Sequence, residues 1–115
     1  MDLQIIRWAD ARFDQPVPGL DRHCIDAQNA LVAHVVLHPG ATVPVHQHES
    51  EQISVILSGK IKWFLGEERR EVIVEGGTVL VLPPNYPHGV ETIETTHIVD
   101  VLSPHGLMGV DKMKE

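Results

Sequence analysis

The feature that most constrains this chain is a series of short apolar runs separated by glycine, proline and asparagine, with no long window of helical period. Seven such runs cover residues 31–37, 52–57, 61–65, 71–75, 78–82, 89–94 and 97–102. Valine and isoleucine dominate them, and β-branched side chains fit a pleated, half-buried surface. Short strands spaced by roughly 8–12 residues, with turn residues between them, are typical of a sandwich or barrel. The sequence therefore predicts an all-β protein.

The length of 115 residues suits one domain over 1–115, with a core barrel over about 30–104. The ends of the chain are less regular, so we expect an N-terminal segment and a C-terminal tail at the periphery. Within the first of these, residues 3–8 are a candidate edge strand and 14–21 a loop. The tail, 106–115, is expected to form a short helix or to fray.

Charge and composition limit the partners. The formal net charge is −7, so the chain would gain nothing by releasing counterions from a phosphate backbone, and we expect no nucleic-acid partner. The same charge disfavours an anionic membrane surface. There is no apolar stretch of about 18 residues and no signal-peptide pattern. Cys24 is the sole cysteine and cannot form an internal disulfide. We expect a cytoplasmic protein whose ligand is a small molecule.

Several of the runs, such as 78–82, are apolar on both faces, whereas a sheet with one solvated face alternates more clearly. The outer face then needs cover from a second sheet, the N-terminal segment or another subunit. Small domains gain stability by association. We therefore predict a homodimer with twofold symmetry that buries the outer faces of one sheet.

The segment HQHESEQ, residues 46–52, carries the first candidate chemistry. His46 and His48 are two residues apart, so in an extended chain both side chains point to one face. That spacing allows two ring nitrogens to converge on a metal at about 2.0–2.1 Å. Gln52 is the first polar residue of the following run, and His88 follows the turn after a later run. A lone pair of histidines is weak evidence, because exposed loop histidines are common, but their joint occurrence favours a metal site.

The spacing around these residues resembles the two signature motifs of the cupin superfamily. The first motif reads G-x5-H-x-H-x3 or 4-E-x6-G, and the corresponding residues here are Gly40, His46, His48, Gln52 and Gly59. The second reads G-x5-P-x-G-x2-H-x3-N, and the corresponding residues are Gly77, Pro83, Asn85, His88 and Thr92. The resemblance implies a double-stranded β-helix, or jelly-roll, barrel. It also implies a divalent metal held by a set of four residues, His46, His48, Gln52 and His88.

Three positions depart from the motifs. Asn85 replaces a glycine, a mild change because asparagine tolerates a positive φ, and Thr92 replaces an asparagine. Gln52 replaces the usual glutamate although Glu51 stands beside it. Counting back from Gly59 places Gln52 at the ligand position, and strand alternation places Glu51 on the opposite face.

An amide in place of a carboxylate leaves a divalent ion with its full charge. Such a site should bind metal less tightly and be a stronger Lewis acid. Zinc, nickel, iron, manganese and copper all remain candidates, because imidazole-rich sites suit several transition metals.

Asp100 lies inside the apolar run 97–102. An ionised carboxylate is costly in a barrel wall unless it is paired or bound, so Asp100 is a candidate general base; the alternative is a solvent-facing or ion-paired carboxylate. His97 has the opposite parity and should face away. His34 and His38 share a face and fit surface or subunit contacts as well as ligation. Tyr86 and His105, both in loops, could line a pocket mouth.

Within the superfamily, the chain resembles small cupins of pectin and alginate breakdown, which help to open unsaturated uronates. The resemblance rests on His46, His48, Gln52, His88, the PPN-x-PHG loop and Asp100. Leu102 stands where that group carries an aromatic residue. The arginine that it carries a few residues further on, able to bind a carboxylate bidentately, is missing from SPHGLMG.

Three functions therefore stay open. One is a metal-dependent lyase or isomerase acting on a small polar, sugar-acid-like molecule, with Asp100 moving a proton. The second is a metal-dependent dioxygenase. The third is a cupin that binds a small ligand or metal without turnover.

Overall fold

The computed structural model describes residues 2–106, which form eight strands and one turn of 3-10 helix at Trp8–Asp10. The strands are β1 Arg12–Asp14, β2 Leu20–Asp26, β3 Leu31–Leu37, β4 Thr42–His46, β5 Glu51–Leu65, β6 Arg70–Glu75, β7 Thr78–Leu82 and β8 His88–Ser103. Within these residues no helix is long or apolar enough to cross a membrane. The all-β prediction is confirmed.

Strands β5 and β8 pair antiparallel along their whole lengths and organise the rest of the sheet. The first half of β5, residues 52–56, also pairs with β7, and its second half, 60–65, pairs with β6. Likewise β8 pairs with β3 through 96–102 and with β4 near 88–91. Strands β2 and β1 extend the β3 side. The two halves of β5 and β8 thus belong to two facing layers, which together form a jelly-roll barrel.

The runs 52–57 and 61–65, which the sequence predicts as two strands, are one continuous strand, β5. The runs 89–94 and 97–102 are likewise one strand, β8. The residues between them are bends within strands rather than turns between strands. Pairing continues through the bends with shifts of register near residues 56–61. Such irregularities bend a strand without ending it, so the pattern of polar breaks overestimated the number of elements.

Gly59 is the residue that lets β5 bend where it crosses β8. Its φ is 101°, a region that residues with a Cβ rarely adopt. An added Cβ would lie against the backbone oxygen of Thr95 and 2.6 Å from Cα of Thr96. The two long strands can therefore approach closely at this point only because residue 59 lacks a side chain.

The N-terminal prediction needs correction. Residues 3–8 are not an edge strand; the edge is β1, and β2 begins inside the predicted loop 14–21. Strand β2 pairs with β3 along its full length and points Leu20, Arg22 and Cys24 inward, so the barrel begins near residue 20 rather than 30. The alternation of inward apolar residues that would predict β2 is interrupted, because an arginine occupies the middle inward position. The predicted behaviour of the tail concerns residues that, after Gly106, lie outside the described part.

Alternate residues of each central strand fill the barrel. In β3 every second residue, from Leu31 to Leu37, is buried, and the residues between are half-buried. The opposite face of β7 is open in the single chain, since Val79 and Val81 are 54% and 60% exposed. The runs that are apolar on both faces thus supply one layer of core and one apolar outer surface.

We expect Gly59→Ala to destabilise the fold more than Gly77→Ala. Both residues have a positive φ, but an added Cβ meets nothing within 4 Å at Gly77. The backbone strain alone should cost about 1–2 kcal/mol in either variant. The clash at Gly59 should add about 1–3 kcal/mol. Urea unfolding of both variants measures the difference, and equal losses would contradict the role given to the bend.

Candidate metal centre

Three histidine rings meet at one end of the barrel interior. His46 ends β4 and is the cross-strand partner of His88, which begins β8. His48 follows in the turn before β5. The ring centroids of His46 and His88 are 4.4 Å apart, and those of His48 and His88 are 5.0 Å apart. One ring nitrogen from each histidine lies within 4.8 Å of the others, so the structure brings together all three predicted histidines.

Backbone carbonyls fix the orientation of each ring. Nδ1 of His46 lies 2.9 Å from the oxygen of Pro44, and Nδ1 of His88 lies 2.8 Å from that of Tyr86. His48 makes the same kind of contact with a carbonyl two residues away, at 3.0 Å. A carbonyl can only accept, so each Nδ1 carries the proton and each Nε2 presents a lone pair. Metal-binding histidines commonly use the second nitrogen in this way.

The surroundings of His46 and His88 favour the neutral form of these two rings. Burial lowers the pKa of His88 to about 4, and the nearby His46 acts in the same direction. Burial also lowers the pKa of His46. The buried Nε2 of His88 has no hydrogen-bond partner among the described residues. A buried unsatisfied acceptor is costly, and a metal ion is a partner that would satisfy it.

Gln52 faces this cluster. Its Oε1 lies 2.9 Å from Nε2 of His48, whose Nδ1 already faces a carbonyl. A neutral ring has one proton for two acceptors, so the contact with Gln52 needs either a second proton or a cation between the two atoms. Two ligand atoms about 2.1 Å from one ion and at right angles lie about 3.0 Å apart. The donor set and this spacing fit a bound divalent metal. Glu51, by contrast, is exposed.

Asp100 lies behind Gln52 on the neighbouring strand. It is buried, and its Oδ1 accepts a hydrogen bond of 2.6 Å from Oγ of Ser54 and a longer one of 3.4 Å from Nε2 of Gln52. Burial raises the pKa of Asp100 to about 6, while Ser54, Gln52 and the charge of Arg22 act in the opposite direction. Nε2 of Gln52 also donates to Ser54 at 2.9 Å, which turns the amide oxygen toward His48.

A cavity of about 50 Å³ joins these groups. One water needs roughly 10–15 Å³ by the same measure, so the cavity has room for several waters or for a compact ligand. Its wall is mostly apolar, and its polar side chains are His46, His88, Gln52, Asp100 and Arg22. A concave, mostly apolar wall with few polar groups is typical of small-ligand sites.

Arg22 is the functional candidate that sequence reasoning missed. It is 1% exposed and donates through Nε and Nη2 to the carboxylate of Asp14, at 2.9 and 2.8 Å. An arginine at an inward position of β2, between two apolar inward neighbours, was the available signal. The signal is weak, because the flanking residues of the N-terminal segment show no regular pattern.

The four other histidines considered in the sequence analysis lie elsewhere. His34 contacts His97 at 3.2 Å on the outer face of the sheet, and His97 faces away from Asp100 as its parity predicts. His38 and His105 each contact an aspartate, Asp21 and Asp26 respectively, at 2.8 Å. None of these four lines the cavity, and neither does Tyr86.

The fold and the site together place the protein in a class: small antiparallel jelly-roll barrels with a cluster of histidines inside that could hold a metal ion. The chain belongs to the cupin family, because the sequence profile of the Cupin domain (Cupin_2) matches residues 33–103. No curated protein matches the sequence. The family resemblance read from the two motifs is thereby confirmed.

Solved structures share the fold. KdgF from Halomonas sp. is 23% identical, with a TM-score of 0.80 over 97% of this chain and 99% of that one. An RmlC-like cupin from Shewanella frigidimarina is 18% identical, with a TM-score of 0.80 over 90% and 93%. A variant of oxalate decarboxylase from Bacillus subtilis is 18% identical with a TM-score of 0.77, and this chain matches 30% of its length.

We expect His88→Ala to weaken the binding of zinc by at least about a hundredfold, since a direct ligand should matter more than the outer partners of ligands, whose loss costs about 10–100-fold. His38→Ala is the matched control, because His38 is exposed and lies outside the cluster. Competition with a chromogenic chelator measures both affinities. Equal affinities for the two variants would exclude the predicted centre.

Proposed function

We propose that the protein is a divalent-metal-dependent lyase or isomerase acting on a small polar, sugar-acid-like molecule. The metal would be held by His46, His48, Gln52 and His88, and would polarise an oxygen of the substrate. The observation that carries the proposal is the buried carboxylate of Asp100 in the wall of the same cavity. A metal site alone suits storage or binding, whereas a metal site beside a buried proton acceptor suits chemistry.

In this proposal Asp100 moves the proton. Its carboxylate takes a proton from the substrate and returns it to another atom, so that the protein ends the cycle unchanged. Oγ of Ser54 donates a hydrogen bond of 2.6 Å to Oδ1 of Asp100, and this bond holds the carboxylate in one orientation. The apolar wall excludes bulk water, so the proton is exchanged with the substrate rather than lost to solvent.

The structural neighbours are consistent with a small cupin that acts on an organic acid, and they leave the substrate open. The oxalate decarboxylase of Bacillus subtilis has Mn(II) centres and acts, by its name, on a small carboxylic acid. KdgF has nearly the length of this chain. Two alternatives, a dioxygenase and a non-catalytic binding cupin, are separable outcomes of the experiment below.

We expect Asp100→Asn to lower turnover by about 10²–10⁴-fold, the usual contribution of a general base, with little change in metal affinity. The assay screens sugar acids and diketones against wild-type protein loaded in turn with zinc, nickel, iron, manganese and copper. The active pair is then used for the variant. The His38→Ala variant serves as the control for turnover.

Three results would contradict the proposal. Full turnover by Asp100→Asn would remove the aspartate from the mechanism. Oxygen consumption coupled to turnover would favour the dioxygenase. Binding without turnover of every compound would favour the non-catalytic cupin.

The homodimer remains a prediction, and the outer face of β5, β7 and β8 supports it. The cross-strand partners Val79 and Val55 lie in one row of that face, and Val81 and Ile53 in the next. All four are apolar and at least partly exposed.

The cytoplasmic location also remains a prediction.

We expect Val79→Lys to convert a dimer into a monomer, because burying an unpaired ammonium at the contact is costly. Ile73→Lys is the matched control: Ile73 is 53% exposed, against 54% for Val79, but lies on β6 in the other layer. Sedimentation velocity at micromolar concentration distinguishes the two states. A monomeric wild-type protein would refute the dimer.

A further inference from the structure

The indole of Trp63 is a buried donor without a partner. Trp63 is 3% exposed, and its Nε1 has no hydrogen-bond partner among the described residues. Buried tryptophans usually find a partner for this N–H, because leaving it unpaired is unfavourable. Nε2 of His88 is also buried and unpaired within the described part of the chain, and the candidate metal would be its partner. The N–H of Trp63 needs an explanation of its own.

The position of Trp63 indicates what that partner is. The side chain lines the same cavity as His88, and the centroids of the two rings are 6.4 Å apart. The wall has acceptor oxygens on Gln52 and Asp100. Oε1 of Gln52 faces His48, Oδ1 of Asp100 accepts from Ser54 and Gln52, and no described acceptor meets the indole N–H. An acceptor atom that meets the indole N–H would therefore come from a molecule bound in the cavity.

The charge of the site indicates the class of that molecule, and this step rests on the proposed metal centre. The four candidate ligands are neutral, so the ion would keep its double positive charge. Arg22 and Asp14 offset each other through two hydrogen bonds. Asp100 removes at most one charge, so the site stays positive whether or not that carboxyl is protonated. In a mostly apolar cavity, electrostatic attraction then favours an anion.

We propose that Trp63 is a specificity-determining residue whose indole N–H donates a hydrogen bond to an oxygen of a small monocarboxylate bound beside the metal. The volume of about 50 Å³ suits a compact acid or the acidic end of a longer one. A hydrogen bond to a charged acceptor is stronger than one to a neutral carbonyl. The site should therefore distinguish a carboxylate from an uncharged molecule of the same size.

The test observes the indole directly. The chain has two tryptophans, Trp8 and Trp63, so ¹⁵N-labelled protein gives two indole N–H resonances, and Trp8→Phe assigns them. Zinc-loaded protein is titrated with pyruvate and, as a matched control, with 2,3-butanedione, which has as many non-hydrogen atoms and no charge. We expect pyruvate to move the Trp63 resonance downfield and leave that of Trp8 in place. The uncharged diketone should produce a much smaller shift.

A second measurement uses variants. Trp63→Phe keeps an aromatic ring and removes the donor, so it should weaken pyruvate binding by about tenfold or more, while zinc affinity stays within twofold of wild type. Trp8→Phe should change neither. The proposal is overturned if saturating pyruvate leaves the Trp63 resonance unmoved, or if both compounds move it equally. Failure of the wild-type protein to bind zinc is a different result, which refutes the metal centre on which this inference rests.

Discussion

The pairing of β5 with β8 is the constraint on which the rest of the structure depends. It brings Ser54 opposite Asp100, and it sets Trp63 on the same pair of strands as His88. The bend at Gly59 transfers both strands from one layer to the other, so that the inner faces of both halves point into one cavity. A jelly roll therefore assembles much of a site from residues far apart in sequence by pairing two strands, while β4 and the adjoining loops supply His46, His48 and the carbonyl that orients His88.

Much of the fold was accessible from the sequence, because the signals that carry it are local. Strands β3 (31–37) and β7 (78–82) have the predicted bounds, since turn residues stand at both ends. The bends at Gly59 and after residue 94 were read as breaks, because a glycine that permits a close crossing looks like a glycine that permits a turn. Only the approach of Thr96 to Gly59, a tertiary contact, distinguishes the two.

Some residues of the candidate site were also predictable from the sequence, and others were not. The histidines and Gln52 were predicted because two motifs fix their spacing. Asp100 was a candidate because it interrupts an apolar run, which by itself left a solvent-facing or ion-paired carboxylate as the alternative. Arg22 was missed although its position between Leu20 and Cys24 was a parity signal. Its strand lies outside both motifs, and a buried arginine contradicts the usual distribution of charge. The unpaired N–H of Trp63 was inaccessible, since hydrogen bonding depends on atoms and not on residue patterns.

The amide at position 52 and the carboxylate at position 100 are best understood together. The two polar atoms of the Gln52 amide make different contacts: Oε1 faces His48, and Nε2 donates to Ser54 and Asp100. A glutamate could make the first contact but not the second. It would instead place two carboxylates against each other in a buried site, where one would have to take up a proton. Glu51 offers no substitute, because strand alternation turns it to the exposed face. The amide thus allows Asp100 to remain an acceptor close to the candidate metal ligands, which would explain why an amide, a weaker metal ligand than a carboxylate, occupies this position.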